Sequence, residues 1–241
     1  AKPPVFGPLA PMTVLPDESG MSVGHEFTLA GAQLAALGSG ALWWADQQLL
    51  CVSDLHLGKS ERIARRGGAA LPPYETHDTL TRLETELERH PARTVICLGD
   101  SFDDLDAARA LPDAVRLWIA RLQAGRQWIW VEGNHDPGPV DVGGSHLDKV
   151  SVETLTFRHI ADPLAKGEVS GHFHPKASLS LGGRTISRAA FLYDTKRLIL
   201  PAFGTYTGGL RSTSDALSDL LAPDAIAVLT GPRPTAIPMP R

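Results

Sequence analysis

Apolar and polar positions alternate in blocks along the first half of the chain. Residues 41–54, ALWWADQQLLCVSD, predict two short strands around a polar turn at 46–48. Leu80, Leu83 and Leu87 then fall on one face of a helix that Pro91 ends. The run RTVICLGD has the continuous apolar character of a strand buried on both faces, and a second helix around LPDAVRLWIARLQAG precedes another strand in QWIWV.

This order of strand, helix, strand, helix, strand predicts parallel strands joined by crossover helices. Ligands of such sheets bind beyond the carboxyl ends of the strands. The second half has no long helical pattern, and its segments KVSVETLTFRHI, EVSGHFHPKASLSL and RTISRAAFLYDTKRLILPAFG predict a second sheet. A short helix near TSDALSDLLA and a last strand in AIAVLTG follow. We expect one domain over residues 25–241, preceded by an irregular, proline-rich segment at 1–24.

Composition places the 241-residue chain among globular proteins, since 43% of its residues are hydrophobic. No apolar run reaches the length of a membrane span, and five prolines interrupt the first twenty residues, so we expect a cytoplasmic protein without a signal peptide. Cys51 and Cys97 lie in apolar runs and are expected to be small buried residues rather than a disulfide. The net charge of −4 excludes a polycation that coats nucleic acid, so a phosphate-rich partner must be held locally.

Polar clusters follow the predicted strands, and each has an ordinary explanation when taken alone. GNHDP, for example, has the composition of a tight turn, and a lone histidine is usually a core or surface residue. Together the clusters offer seven oxygen and imidazole donors without a thiolate, a set that suits Mn, Fe or Zn. Residues two apart on a strand point the same way, so we expect two-pronged pairs from Asp54 with His56 and from His172 with His174. Seven donors exceed the needs of one tetrahedral ion and favour two ions that share a bridging carboxylate.

The ordered set D-x-H, G-D, G-N-H-D, H and G-H-x-H resembles the calcineurin-like metallophosphoesterases. Longer segments of the chain resemble one branch of that family, the ligase-associated DNA damage response endonucleases (PdeM). These segments are SDLHLGK, LGDSF, WIWVEGNHDP, GHFHPKA and PAFGTYTGGL. The resemblance implies an α/β fold, a four-layer α-β-β-α sandwich of two mixed sheets flanked by helices. Branch members often have a histidine where this chain has Asp103, so Asp103 is not among the expected ligands.

The resemblance also implies a role for each matched residue. Ligands of the first metal would be Asp54, His56, Asp100 and His174, and those of the second would be Asp100, Asn134, His159 and His172, with Asp100 as the bridge. His159 is preferred to the nearby His146 because it ends an alternating apolar run, where a strand would deliver it to the site. His135 would donate a proton to the leaving oxygen, and Asp136 would orient the His135 ring.

A basic cluster next to the first motif consists of Lys59, Arg62, Arg65 and Arg66. It is either a solvated helix face or a set of residues that bind the backbone phosphates flanking the scissile phosphate. The resemblance implies a manganese-dependent endonuclease acting on single-stranded or unpaired DNA, with repair proteins including a ligase as possible partners. One alternative is a phosphatase or phosphodiesterase for a small molecule such as a nucleotide. A non-catalytic binding scaffold is disfavoured because every matched ligand position is filled.

Overall fold

A computed structural model describes residues 24–65 and 74–241 of the chain. Two mixed β-sheets pack face to face with helices outside them, which confirms the predicted fold class. The irregular segment predicted at 1–24 lies outside the described residues, except that Gly24 already begins the first strand. Among the described helices, none is both long and apolar enough to cross a membrane.

Within the described residues, the first sheet contains seven strands in their order along the chain. They are Gly24–Leu29 (β1), Ala32–Leu37 (β2), Leu42–Trp44 (β3), Leu49–Ser53 (β4), Thr94–Leu98 (β5), Gln127–Val131 (β6) and Ser145–Leu147 (β7). Strands β1 to β4 pair antiparallel, with the predicted polar turn between β3 and β4 forming one 3-10 turn at Ala45–Gln47. Strands β4 to β7 pair parallel, as the alternation of strands and helices predicts.

Helices cover the outer face of the first sheet. They are Lys59–Arg65 (α1), Glu75–Arg89 (α2), Leu105–Arg109 (α3) and Asp113–Gln123 (α4). The predicted stripe of Leu80, Leu83 and Leu87 packs in one apolar cluster with sheet residues such as Val95. Both long helices were predicted, whereas the pattern did not separate α3 from the loop after β5.

The second sheet is built from the strand-rich second half, as predicted. Its strands are Lys149–Val152 (β8), Leu155–Arg158 (β9), Glu168–Ser170 (β10), Lys176–Leu181 (β11), Arg184–Tyr193 (β12), Arg197–Ile199 (β13), Ile226–Leu229 (β14) and Thr235–Pro238 (β15). The order is β15-β14-β12-β13-β10-β9-β8, and β11 pairs with β12 as a hairpin arm. The short helix Asp215–Ser218 (α5) packs on the outer face through Leu217, and β15 follows the strand predicted to be last.

Alternate side chains of β4 divide between two cores. Leu50 and Val52 face the helices, whereas Leu49 and Cys51 face the second sheet, in the cluster that contains Phe157. Burial of one such leucine contributes about 1.5–3 kcal/mol. Both cysteines are buried and unpaired. The two packed cores hold the sheets face to face, so the polar ends of β4, β5, β9 and β10 are held on one side of the molecule.

Candidate metal centre

The candidate site lies beyond the carboxyl ends of strands from both sheets. Asp54, Asp100 and Asn134 follow β4, β5 and β6 of the first sheet. His159 follows β9 and His172 follows β10 of the second sheet. Because these strands are parallel within each sheet, their ends deliver the donors to one region.

The first donor group consists of Asp54, His56 and His174. The Asp54 Oδ1 atom lies 3.1 Å from His174 Nε2, and the Nε2 atoms of His56 and His174 lie 3.4 Å apart. Asp54 and His56 are buried, whereas His174 is half-buried. The arrangement has one carboxylate oxygen and two imidazole nitrogens facing a common point.

The second donor group consists of Asp100, His159 and His172, with Asn134 beside it. His159 Nε2 lies 3.3 Å from Asp100 Oδ2, 2.9 Å from Asn134 Oδ1 and 3.2 Å from His172 Nδ1. His146, the alternative to His159, is on β7 and stacks against the Trp130 ring instead. The structure therefore brings His159 together with the other predicted donors.

The two donor groups adjoin each other. His159 Nδ1 of the second group lies 3.9 Å from Asp54 Oδ1 of the first. The His56 backbone N–H donates to the Asp100 carbonyl oxygen at 2.9 Å, which ties the two ligand segments together. All seven predicted ligands thus lie in one continuous cluster.

The ligand pairs do not arise from strand alternation, so that part of the sequence prediction is wrong. Asp54 and His56 lie after the end of β4, and His172 and His174 lie after the end of β10. Five of the predicted ligands have positive φ angles: Asp54 (53°), His56 (47°), Asp100 (43°), His172 (70°) and His174 (47°). Such a conformation costs an L-residue about 1–2 kcal/mol, and strain of this kind is typical of functional sites.

Negative charge dominates the centre of the site. Burial opposes ionisation of Asp100, but hydrogen bonding to His159 and the nearby charges lower the Asp100 pKa to about 2. Burial likewise opposes a charged His159, yet Asp100 and Asp54 raise the pKa of this imidazole above its ordinary value. Carboxylates that raise the pKa of a buried imidazole also favour the binding of a cation.

The donor set fits divalent cations. Asp54 Oδ1 is buried, and no hydrogen-bond donor among the described residues satisfies it. Carboxylate, amide and imidazole donors suit Mn, Fe or Zn. A cation would satisfy the orphaned oxygen and lie between imidazole nitrogens that now face one another.

His135 is held by backbone contacts. Its Nδ1 atom lies 3.0 Å from the Asp103 carbonyl oxygen, and its backbone N–H donates to Asp100 Oδ1 at 2.8 Å. The prediction that Asp136 orients the His135 ring is wrong. The Asp136 carboxylate instead accepts the backbone N–H groups of Ser101 (2.8 Å), Phe102 (3.1 Å) and Gly133 (2.9 Å).

Asp136 therefore ties together the loops that follow β5 and β6. Burial raises the pKa of this carboxyl to about 6, although its three backbone donors oppose the rise. Its hydrogen bonds hold Ser101 and Gly133, the residues next to Asp100 and Asn134, and none of the described bonds reaches the His135 ring.

Asp103 is a site residue that sequence reasoning left out. Its Oδ1 lies 3.0 Å from His56 Nδ1, and its Oδ2 accepts from the Arg62 Nε. A carboxylate on the outer nitrogen of a ligating histidine fixes the ring and its tautomer. Asp103 lies three residues after Asp100, and this proximity was the one sign in the sequence that Asp103 could belong to the site. Proximity in sequence does not show which histidine the carboxylate contacts.

The predicted phosphate-binding cluster is only partly described. Lys59 and Arg62 belong to α1, and Arg62 is bound to Asp103. Arg65 ends α1, but its side chain lies outside the described part, as does the whole of Arg66. Their contact with substrate remains a prediction.

Comparison with known proteins agrees with this geometry. A family model described as calcineurin-like phosphoesterase matches residues 48–221. The structure is similar to the crystal structure of Pseudomonas putida nuclease MPE, with a TM-score of 0.68 and 27% sequence identity. That match covers 88% of this chain and 100% of the nuclease chain. No sequence among the curated proteins matches.

The family match contains all seven predicted ligands, from Asp54 to His174. Members of this family use divalent metals, and the two donor groups supply candidate positions for them. The chain belongs to the calcineurin-like phosphoesterases and is a metal-dependent hydrolase of phosphoester bonds.

Proposed function

We propose that this protein is a manganese-dependent endonuclease and phosphodiesterase that cleaves single-stranded or unpaired DNA during DNA repair. The observation that carries the proposal is the pair of adjoining donor groups, Asp54/His56/His174 and Asp100/His159/His172. Two divalent cations held in this way would supply charge stabilisation for the attacking and leaving oxygens of an in-line displacement. Manganese suits the mixed oxygen and imidazole donors, and iron or zinc would be the alternatives.

The residues of the chain have distinct roles in this proposal. Asp54, His56, Asp100 and His174 hold the first cation, and Asp100, Asn134, His159 and His172 hold the second. Asp100 is the shared carboxylate, and its low pKa keeps it ionised and available for that role. His135 donates a proton to the leaving oxygen from Nε2, because its Nδ1 faces the Asp103 carbonyl oxygen.

Two facts support DNA as the substrate. The similar protein from P. putida is named a nuclease. The sequence places Lys59 and three arginines directly after the first ligand motif, in a chain of net charge −4. Such residues would hold the phosphates that flank the scissile one. We further propose that the protein acts in the cytoplasm with repair proteins that include a ligase.

A small phosphoester is the second candidate substrate. A groove of about 420 Å³ opens beside the second donor group, and its lining includes Asn134, Lys149, Arg158 and His159. This volume is within the range of small-ligand pockets, which is about 300–1,000 Å³. A nucleotide would fit the groove, and its described lining includes neither Lys59 nor Arg62.

Activity on three substrates separates these candidates. Protein reconstituted with Mn would be tested on single-stranded DNA, a nitrophenyl phosphodiester and the corresponding monoester. The proposal predicts cleavage of the DNA and the diester. Hydrolysis of the monoester without DNA cleavage would favour the second candidate instead.

A further inference from the structure

The segment PAFGTYTGGL, residues 201–210, forms a loop across the first donor group. The Gly204 N–H donates to the Asp54 carbonyl oxygen at 3.1 Å, and the Leu210 N–H donates to the Phe173 carbonyl oxygen at 3.0 Å. Residues 204–210, called here the bridging loop, therefore connect the Asp54 segment to the His172–His174 segment.

Glycines allow both ends of the bridging loop to approach the ligand segments. A Cβ atom at Gly204 would lie 2.2 Å from the Leu55 carbonyl oxygen, and one at Gly209 would lie 2.0 Å from the His174 carbonyl oxygen. Both distances are impossible for a side-chain carbon. Tyr206 is two residues from Gly204, so its Cα lies within about 7 Å of that anchor.

Tyr206 combines an exposed ring with a strained backbone. Its side chain is 47% exposed, and its φ angle is 62°, a conformation that bulky residues rarely adopt. Strain of this kind persists only where the surroundings impose it, and it clusters at functional sites.

Hydrogen bonds from α2 and within the bridging loop hold the residues on either side of Tyr206. The Thr205 N–H donates to Thr79 Oγ1 at 3.1 Å, and the Thr205 hydroxyl donates to Asp78 Oδ2 at 2.5 Å. Arg82 donates to Thr205 Oγ1 at 2.9 Å, and the Thr207 hydroxyl donates to the Gly204 carbonyl oxygen at 3.0 Å. The backbone on both sides of the half-exposed Tyr206 is therefore held in place.

Positive charge follows Tyr206 at the far end of the bridging loop. The backbones of Lys176 and Arg211 pair in an isolated parallel β-bridge. Lys176 comes two residues after the ligand His174. Asp194 is the sole acidic residue in the sequence from 175 to 214, and it is buried. Two cations thus lie at one end of the loop that carries the half-exposed Tyr206, and Asp78 of α2 lies at the Thr205 end. An aromatic side chain and cations along one loop are the elements of a surface for single-stranded nucleic acid.

We propose that the bridging loop binds one nucleotide next to the scissile phosphate, with the Tyr206 ring stacked on its base and Lys176 and Arg211 at its backbone. The inference rests on the proposed action on DNA. Stacking tolerates every base, because each base has a π face. Tyr206 would thus favour unpaired strands, whose bases are free to stack, over duplexes.

The test uses fluorescence anisotropy on Mn-loaded protein and compares a single-stranded oligonucleotide with the same strand carrying abasic residues. Both strands have phosphorothioate linkages that resist cleavage. Tyr206→Ala is expected to raise the Kd for the base-bearing strand about 5- to 150-fold, the loss typical of one stacked base. The Kd for the abasic strand should change much less. Tyr206→Phe keeps the ring and should bind like the unaltered protein.

A spectroscopic signal separates stacking from a purely structural role. A strand containing 2-aminopurine should be quenched when it binds protein with Tyr or Phe at 206, and quenching should be lost in Tyr206→Ala. Tyr206→Gly provides a folding control, because glycine adopts positive φ freely and should keep the melting temperature while losing the quench. Equal binding and quenching by Tyr206→Ala and the unaltered protein would overturn the inference.

Failure of this inference differs from failure of the proposed function. Unaltered protein that cleaves DNA, with a Tyr206→Ala variant that matches it, would overturn the stacking role alone. Unaltered protein that binds the base-bearing strand through Tyr206 but cleaves no phosphodiester would overturn the proposed function alone. Absence of any binding to single strands would overturn both.

Discussion

The Nδ1 atom of His135 lies 3.0 Å from the carbonyl oxygen of Asp103. A carbonyl oxygen only accepts hydrogen bonds, so Nδ1 carries the hydrogen and Nε2 is left to exchange a proton with substrate. The adjacent Asn134 instead points its amide oxygen at His159, 2.9 Å away, within the second donor group. Neighbouring residues of one loop are therefore suited to different tasks.

His135→Ala should retain metal but lose much of its DNA cleavage. A sugar alkoxide must be protonated as it leaves, and general acid catalysis typically contributes about 10²- to 10⁴-fold in rate. Nitrophenolate leaves without such help, so a nitrophenyl diester should suffer a distinctly smaller loss. Rates on both substrates, with metal content, check this expectation.

Asn134→Ala is the matched comparison for His135→Ala. It should lower metal occupancy and reduce both activities together. An equal loss on both leaving groups in His135→Ala, or a loss of metal, would show that His135 is not the proton donor.

Asp103→Ala should weaken metal binding, because its carboxylate holds His56 Nδ1 at 3.0 Å. Loss of such an outer partner typically costs about 10- to 100-fold in metal affinity. Titration calorimetry with Mn measures this directly. The neighbouring Asp104 caps α3 through the Ala107 N–H, so Asp104→Ala should cost about 1 kcal/mol of stability and leave metal affinity unchanged. Equal metal affinities in the two variants would contradict the role of Asp103.

Replacement of Lys59, Arg65 and Arg66 by alanine should weaken DNA binding and flatten its salt dependence. Each phosphate contact with a single strand contributes about 0.7 to the slope of log K against log salt concentration. Arg62→Ala should behave differently, since it leaves the buried Asp103 carboxylate without its guanidinium partner. We expect it also to reduce turnover of the small diester, whereas the other three variants should spare it. Equal losses on DNA and the diester in all four variants would assign the cluster to the metal site or the fold.

Arg197→Ala should destabilise the loop that carries His159. The buried guanidinium donates to the carbonyl oxygens of Asp162, Pro163 and Ala165 and lies 3.6 Å from the buried Glu168 carboxylate. Removal of one partner of a buried ion pair costs about 3–5 kcal/mol. Urea unfolding measures the loss, and the exposed Arg184→Ala should stay within about 0.5 kcal/mol of the unaltered protein. Equal unfolding free energies in the two variants would contradict this account.

Sequence patterns predicted the parallel strands, the two long helices and the second sheet, because these elements follow from hydrophobic periodicity. The seven donors of the candidate site were also predicted, because polar clusters lie at or near the ends of the predicted strands. The geometry of the site was not. Asp54, His56 and His174 converge because each has a positive φ angle in a loop. The pattern of Asp and His residues in the sequence does not predict a positive φ angle.

The contacts of Asp103 and Asp136 were equally hidden. Asp136 is next to His135 in sequence, yet its carboxylate binds the backbone of Ser101 and Phe102, which a different strand delivers. Asp103 reaches His56, 47 residues away along the chain. The hydrogen-bond partners of these carboxylates depend on how loops from separate strands pack together. The spacing of residues within one motif does not predict this packing.

Metal content tests the central claim most directly, namely that the two adjoining donor groups each hold an ion. Protein reconstituted with Mn and freed of excess metal should contain two ions per chain by elemental analysis. Asp100→Asn should contain less metal and lose hydrolysis. A firm value of one ion per chain in fully active protein would contradict the dinuclear account.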